Sequence, residues 1–449
     1  MECSAKIDIN GVPEVVRGVM ARLEHNNYKS YLVGGVVRDM ILGREPNDYD
    51  IATSATPGQV RSLFDRVLPT GEKHGTVTIL ERGLSLETTT LRREAGYSDC
   101  RRPDRVEFTR SLRQDLARRD FTINALAADL EGNVYDFFGG IRDISDGIIR
   151  SVGDPEKRFR EDALRMIRAV RFACQLDFNI EKRTLDCIRA NRGLIEKVSM
   201  ERIREELNGI LLSAHPQRGI ELFGQCGLLE FILPELAEPD GGEESFAGRA
   251  GRVMDVLPNT PARLNVRLAA IIYEIAEPDR RVGTDDSGRP RRLRPGEKPE
   301  GPAEIILGRL KYDRRTVRSV SRLVKEGMSR FNHSDIKGVK RLIASVGAEN
   351  LGDLFSLWRA RAGSVGGPGA VEAVARLEKT AQSVINENLP VLIRDLAING
   401  NDLKKMGVKP GREIGKILNS LLEIVLEKPE MNERSRLEEI VRGMKIRLY

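Results

Sequence analysis

The sequence predicts an α+β chain, with a mixed sheet and its helices at the N-terminus and an all-α remainder. Three observations carry that prediction. Between residues 29 and 140, apolar runs of strand length alternate with short helical patterns and glycine-containing turns. From Asp154 onward, most segments repeat their apolar residues at helical spacing and are joined by short breaks. The length of 449 residues and a hydrophobic content of 40% allow two to four domains with buried cores.

Ser30–Val33 and Asp48–Thr53 read as strands, with a helix near Val36–Leu42 between them. Pro57 suits the first turn of the next helix, where its missing N–H is no loss. Thr76–Leu80 and Ser85–Leu91 form a predicted hairpin across Glu81-Arg82-Gly83. Ala125–Leu130 and Val134–Phe138 form another across Gly132-Asn133. After Arg142 the pattern turns helical, over Arg160–Gln175, Glu181–Ala190, Met200–Leu212, Ala262–Ile275, Leu351–Arg361 and Gly411–Glu427. Pro278–Pro302 is rich in Arg, Asp, Gly and Pro and nearly empty of large apolar residues, which predicts an exposed, mobile loop. Ser364–Gly369 is a further break. The expected domains are 1–142, 143–213, 214–345 with the loop at 278–302, and 346–449.

Composition excludes several function classes. The five cysteines are scattered without a C-x-x-C pair, which predicts a reducing compartment, no disulfide framework and no zinc knuckle. The four histidines are isolated, against a histidine metal cluster. No apolar run reaches membrane-spanning length, and the N-terminus lacks the basic and apolar regions of a signal peptide, so a cytoplasmic protein is expected. The net charge of +6 is uneven: residues 303–449 hold 27 Lys+Arg against 18 Asp+Glu, a net of +9. That excess fits either a polyanion such as RNA or an ordinary solvated helical surface.

Three clusters carry chemistry. In Tyr31-Leu-Val-Gly34-Gly35-Val-Val-Arg38-Asp39, an apolar strand runs through a glycine pair into a helix, offering backbone N–H groups to phosphate. Arg38 suits a triphosphate bidentately, or pairs internally with Asp39. Asp48 and Asp50 sit two apart; on a strand they would share a face, roughly 7 Å apart. Such a pair can share divalent metals that clamp the attacking and leaving oxygens of a nucleotidyl transfer, or can be surface and capping acids. Glu87, on a neighbouring predicted strand, is a third acid or the partner of a nearby Arg. The second cluster is Arg118-Arg119-Asp120-Phe-Thr122-Ile-Asn124, whose charges, hydroxyl and amide can hydrogen-bond a ribose and phosphates. The third is Arg158-Phe-Arg160-Glu161-Asp162-Ala-Leu-Arg165-Met-Ile-Arg168-Ala-Val-Arg171, a charged amphipathic helix with Asp162 and Arg165 three apart. An acceptor beside a bidentate donor can imitate a Watson–Crick edge and take C or A while rejecting U and G. The plainer alternative is an exposed salt bridge contributing about 0.3–0.5 kcal/mol.

Together with Asp136-Phe-Phe-Gly139-Gly140 and Glu201-Arg202-Ile-Arg-Glu205-Glu206-Leu207, these blocks resemble, in order, the motifs of the tRNA CCA-adding and bacterial poly(A) polymerase family, class II branch. The resemblance is dense from Tyr31 to Leu207 and weaker beyond Leu236, although Ile398-Asn399-Gly400-Asn401-Asp402-Leu403 still looks like the family's tail. It implies a nucleotidyltransferase head, a nucleotide-selecting neck, a helical body and a tRNA-binding tail. It also implies two Mg²⁺ ions at Asp48 and Asp50, and triphosphate contact at Gly34, Gly35 and Arg38. Arg119 and Asp120, with Asn124 beside them, would meet the ribose, and Asp162 and Arg165 the base, with Arg168 and Arg171 further along the same nucleotide-binding stretch. The substrates implied are tRNA, CTP and ATP.

Two departures and one agreement sharpen the expectation. Where many relatives carry a His-Asp pair, Leu268–Pro278 carries Tyr273 and Glu274, so no phosphohydrolase activity is expected. The Thr70–Val77 stretch does not match the strand usual in poly(A) polymerases. The segment from Arg92 to Val106 is full length, as in complete CCA enzymes, and its Gly, Pro and charge suit a mobile lid. CCA addition is therefore expected; an A-adding, CC-adding or polyadenylating enzyme, or a silent RNA-binding relative, are the alternatives.

Overall fold

The computed structural model describes residues 4–96, 105–237, 246–276, 282–284, 290–292, 301–327, 336–367, 369–387 and 389–446. The chain divides into two compact units, Met1–Ala237 and Glu238–Tyr449. Among the described residues, no helix is long and apolar enough to cross a membrane.

The first unit contains β1 (Ala5–Lys6), β2 (Ser30–Val33), β3 (Ile51–Thr53), β4 (Val67–Gly71), β5 (Thr76–Glu81), β6 (Leu84–Thr90), β7 (Arg92–Ala95), β8 (Arg105–Phe108), β9 (Leu126–Ala128) and β10 (Asn133–Asp136). Eight of them form one mixed sheet in the order β1-β10-β9-β2-β3-β6-β5-β4. All four residues of β2 are buried, as a central strand covered on both faces requires. The β5–β6 hairpin closes through Arg82 (φ 44°) and Gly83 (φ 84°), the two left-handed residues that match strand twist in a two-residue turn. The β9–β10 hairpin turns on Asp129, whose carboxylate accepts the N–H groups of Glu131 and Asn133.

The expected strand over Asp48–Thr53 begins only at Ile51. Its partner β2 ends at Val33 and turns into the glycine pair, so pairing stops where Val33 N–H donates to the Asp50 carbonyl at 3.0 Å. Asp48 and Asp50 therefore lie on an extended lead-in rather than within a strand. The charged segment after Leu91 is also more ordered at its ends than expected: β7 and β8 pair antiparallel, while 97–104 lies outside the described residues.

The helices of this unit are α1 (Glu14–His25), α2 (Gly35–Ile41), α3 (Pro57–Leu63), α4 (Leu112–Ala117), α5 (Gly140–Ser145), α6 (Pro155–Glu161), α7 (Leu164–Leu176), α8 (Lys182–Asn191), α9 (Met200–Leu211) and α10 (Pro216–Cys226), with short turns after them. Pro57 opens α3 behind a capping box of Thr56 and Gln59. Asp136 ends β10 and accepts the N–H groups of Phe138, Gly139, Gly140 and Ile141, which starts α5. The single helix expected over Arg160–Gln175 is two. Asp162 is extended (φ −148°, ψ 105°) between α6 and α7, and its carboxylate accepts the Leu164 N–H at 3.1 Å. Short acidic side chains compete with the helix ladder in this way, so Asp162 ends one helix and caps the next. Helix α7 buries Met166, Ile167, Ala169, Val170 and Ala173 and packs on α9 and α10.

Among the described residues, the second unit is helical apart from a small hairpin. Leu264–Ala276 is buried from Val266 onward and packs against Arg314–Gly327 and Ala348–Ser364. Glu274, fully buried, is held by Arg252 at 3.2 Å and Arg361 at 2.7 Å, and Arg361 stacks 3.6 Å over Tyr273. Gly411–Glu427, as expected, is helical from Arg412. Leu403, Leu421, Val425, Leu437 and Val441 form a separate core near the C-terminus. Within the expected loop 278–302, Val282–Thr284 pairs with Pro290–Arg292, and a helix opens at Pro302; the remainder lies outside the described residues.

Candidate active site

The site begins where β2 runs into the glycine pair. Gly34 has φ 82° and ψ −129°, a conformation open to glycine. A Cβ there would lie 2.8 Å from Arg119 Nη1, so the guanidinium is pressed onto the turn. Arg119 Nη2 stands 3.7 Å from the Asp115 carboxylate, and among the described residues its Nε has no hydrogen-bond partner. Burial pulls its proton affinity below the ordinary arginine value, and Asp115 and Asp50 work against that pull. Gly35 opens α2, and Arg38 follows one turn later.

Asp50 is on the wall of a 330 Å³ pocket. Its carboxyl is pushed up to about 6, first by loss of hydration, then by Glu87, against the pull of Arg119 and with a further push from Asp48. Glu87 is close because β3 and β6 pair in parallel with Ile51 opposite Thr88, which sets the preceding residues, Asp50 and Glu87, side by side. Carboxylates gathered beside Asp50 are an oxygen donor set suited to a hard divalent cation. Among the described residues, no three such side chains are close enough to enclose an ion.

Asp120 is almost buried. Its carboxylate accepts Arg168 Nε at 2.8 Å and Nη2 at 2.7 Å, with the Phe121 N–H at 2.8 Å and Asn124 Nδ2 at 3.3 Å. Burial alone would raise its pKa; Arg168, those hydrogen bonds and Arg165 bring it down to about 2. Asn124 in turn accepts Arg38 Nη1 at 2.6 Å. Of the two readings of Arg38, internal pairing is the one present, since Asp39 also takes its guanidinium at 2.8 Å. The backbone fixes this segment to residues 150–152: Val152 N–H donates to Asp120 O at 3.0 Å and Thr122 N–H to Arg150 O at 2.9 Å.

Asp162 and Arg165 do not pair with each other, which corrects the shared helical face expected from their spacing. The break at Asp162 separates them. Arg202 on α9 donates Nη1 to Asp162 Oδ1 at 3.2 Å and Nη2 to Oδ2 at 2.8 Å. Arg165 donates to Glu161 at 3.0 Å and to the carbonyls of Arg158 at 3.2 Å and Arg118 at 3.0 Å. Both nevertheless line the pocket with Asp50, Arg119, Asp120 and Arg168. Arg171 stands behind it, on Glu206 at 2.5 Å and flat over Gly209, where a Cβ would meet its Cδ at 2.5 Å. Glu206 also faces Arg168 at 3.5 Å.

Asp48, Gly34, Gly35, Arg38, Asn124 and Arg171 are not on the pocket wall, while Glu87, Arg92, Arg118 and Arg202 are. Arg92 escaped the sequence reading as a site residue. It lies at the foot of the β7–β8 ribbon and donates to the His74 carbonyl and to Glu94 at 2.8 Å. Its signal was the charge density of the segment it opens. Arg202 was legible only as part of the Glu201–Leu207 block, with no role at the site.

Residues 30–150 match the poly A polymerase head domain. Residues 177–238 match a probable RNA and SrmB-binding site of polymerase A, and 299–441 the tRNA nucleotidyltransferase domain 2. A CCA-adding enzyme of Lactobacillus helveticus is 34% identical over 98% of this chain and 100% of its own. One of Limosilactobacillus fermentum is 37% identical over 92% of both chains. The crystal structure of the Bacillus stearothermophilus CCA-adding enzyme in complex with CTP superposes with a TM-score of 0.75 at 28% identity, covering 97% of this chain and 98% of that one. The Thermotoga maritima CCA-adding enzyme complexed with tRNA shares the fold, with a TM-score of 0.63 at 22% identity over 99% of this chain and 100% of that one. By sequence along its whole length and by fold, the chain belongs to the CCA-adding enzyme family of tRNA nucleotidyltransferases.

Proposed function

We propose that this protein adds CCA to the 3′ end of tRNA from CTP and ATP without a nucleic-acid template, releasing pyrophosphate. The observation that carries the reading is the separate restraint of Asp162 and Arg165 on one pocket wall. Each is aligned by its own partners, so each keeps capacity for a base. Arg202 and the Leu164 N–H leave Asp162 Oδ2 a lone pair to accept the exocyclic amine of C or A. Arg165 donates to the adjacent ring acceptor. Uracil and guanine reverse that pattern and leave a charge unmatched.

Gly34, Gly35 and Arg38 receive the triphosphate, and Arg38 exchanges its internal partners for phosphate; Arg119, expected at the ribose, is pressed onto the glycine turn and so serves the phosphates as well. Asp120 and Asn124 meet the ribose, and Asp120 keeps Arg168 charged and aligned. Arg171 supports that pair from behind. Asp48 and Asp50, with Glu87 as a candidate third acid, hold two Mg²⁺ ions. The ions, when bound, supply the charge that activates the terminal 3′-OH and neutralises the departing pyrophosphate. Residues 1–142 act as head, 143–213 as neck, 214–345 as body and 346–449 as tail. The net +9 of residues 303–449 serves the tRNA backbone, in the cytoplasm. Complete CCA addition is preferred over A-adding, CC-adding or polyadenylating activity because the segment between Arg92 and Val106 is full length and the relatives above are CCA-adding enzymes.

The test is incorporation of CTP and ATP into tRNA lacking its CCA end, with Mg²⁺. Asp48→Ala and Asp50→Ala should each abolish nearly all incorporation and leave tRNA binding unchanged. Turnover at the wild-type rate by either variant would remove the acids from the mechanism.

A further inference from the structure

Phe172 lies on α7, behind the wall that carries Arg165 and Arg168, and is 5% exposed. Three guanidiniums gather on its ring. Their central carbons lie 5.4 Å (Arg38), 5.3 Å (Arg168) and 4.4 Å (Arg171) from the centroid. They come from two elements: Arg38 from α2 after the glycine pair, and Arg168 and Arg171 from α7 itself, one turn earlier and at the preceding residue. The ring also meets Phe121 edge-on, with centroids 5.8 Å apart at 81°. Phe121 directly follows Asp120, so the same ring touches the segment expected at the ribose.

Three like charges around one point repel each other. Their anions are unevenly supplied: Arg38 has Asp39, Arg168 has Asp120, and Arg168 and Arg171 share Glu206. An aromatic face attracts each cation without neutralising it and without competing for the N–H groups that would bind phosphate or sugar. An aliphatic side chain of similar size would fill the space but supply none of that attraction. The ring on α7 thus meets Arg38 of the glycine-turn helix, which joins the two ends of the nucleotide site.

We propose that Phe172 is a positioning residue for nucleotide binding: its ring sets the spacing of Arg38 from Arg168, and so of the triphosphate end from the sugar and base end. This rests on the pocket being the nucleotide site. Two cation–π contacts of the strength typical of partly hydrated sites amount to about tenfold in a binding constant. In the full chain, Phe172→Leu should therefore weaken equilibrium binding of CTP and ATP about tenfold in the absence of tRNA. KM should follow, and kcat should change less. Pentafluorophenylalanine at position 172 keeps the ring's shape and reverses its field; it should weaken both nucleotides similarly in a protein that is still folded at the assay temperature. That second variant decides the matter if Phe172→Leu does not fold. Wild-type nucleotide affinity in the fluorinated protein would overturn the proposal and leave Phe172 a packing residue. Failure of the wild type itself to bind either nucleotide would overturn the site reading beneath it.

Discussion

Removing Arg202 tests whether base choice depends on how Asp162 is held. The guanidinium and the carboxylate make two contacts, 2.8 and 3.2 Å, with side chains 22% and 17% exposed. A pair that far from bulk water and with one long contact is worth about 1.5–3 kcal/mol, the range for a hydrogen bond to a charged group. At 1.36 kcal/mol per tenfold, that is roughly 10- to 150-fold in rate if it acts fully on the transition state. Arg202→Ala leaves Asp162 tied only to the Leu164 N–H, free to rotate away from the pocket. The assay is kcat/KM for CTP and ATP on tRNA acceptors, with UTP and GTP as competitors. Both correct nucleotides should lose within that range together, and misincorporation should rise. In a double-mutant cycle, adding Arg202→Ala to Asp162→Ala should cost nothing further, because the carboxylate it orients is gone. Full additivity of the two losses would refute the reasoning, and Arg202 would then act independently of Asp162.

Three further outcomes follow from the geometry. Gly34→Ala forces an L-residue into a glycine-only conformation, costing about 1–3 kcal/mol, and drives its Cβ into Arg119; a lower melting temperature with weakened triphosphate binding is expected, and unchanged affinity would detach Arg119 from the phosphates. With the Asp50 carboxyl pushed up to about 6, the folded protein holds a proton there that the unfolded chain has released, so its stability declines as pH rises through 3.8 to about 6. Incorporation should fall below pH 6, and higher Mg²⁺ should move the fall to lower pH; a Mg²⁺-independent midpoint would contradict competition between proton and metal. For the basic C-terminal third, tRNA affinity should drop steeply with salt, and truncation near Leu396 should weaken tRNA more than nucleotide binding; equal tRNA affinity after truncation would mark the charge as a solvated surface.

What the sequence made legible was local. The glycine turn after β2, the hairpin across Glu81-Arg82-Gly83 and the Pro57 helix start are each set by residues within a few positions. So were the helices from Lys182, Met200 and Arg412. Readings that extended a periodic pattern went wrong where a single side chain interrupts it. The charges of residues 158–171 keep a helical rhythm, yet the Asp162 carboxylate captures the Leu164 N–H and splits the helix. Asp48 and Asp50 have strand spacing, but β2 offers no partner beyond the Asp50 carbonyl. The proximity of Glu87 to Asp50 was legible from the strand pattern, but the ion pairs between distant side chains were not. Arg202 lies 40 positions from Asp162 and Arg168 lies 48 from Asp120. Each such arginine had several acids within reach along the chain, and only the packing of α7 on α9 and on the segment before β9 selects among them.

The most direct test of the account offers the protein three tRNA acceptors, ending before CC, after one C and after both, with CTP and ATP separately and together. A complete CCA-adding enzyme extends the first two acceptors with CTP alone and stops at CC. It adds a single A with ATP to the third, and with both nucleotides brings all three to the same CCA end. Addition of A only to the CC-ended acceptor, with no use of CTP on any, would contradict the account and make this an A-adding enzyme. Runs of A on every acceptor would make it a polyadenylating one.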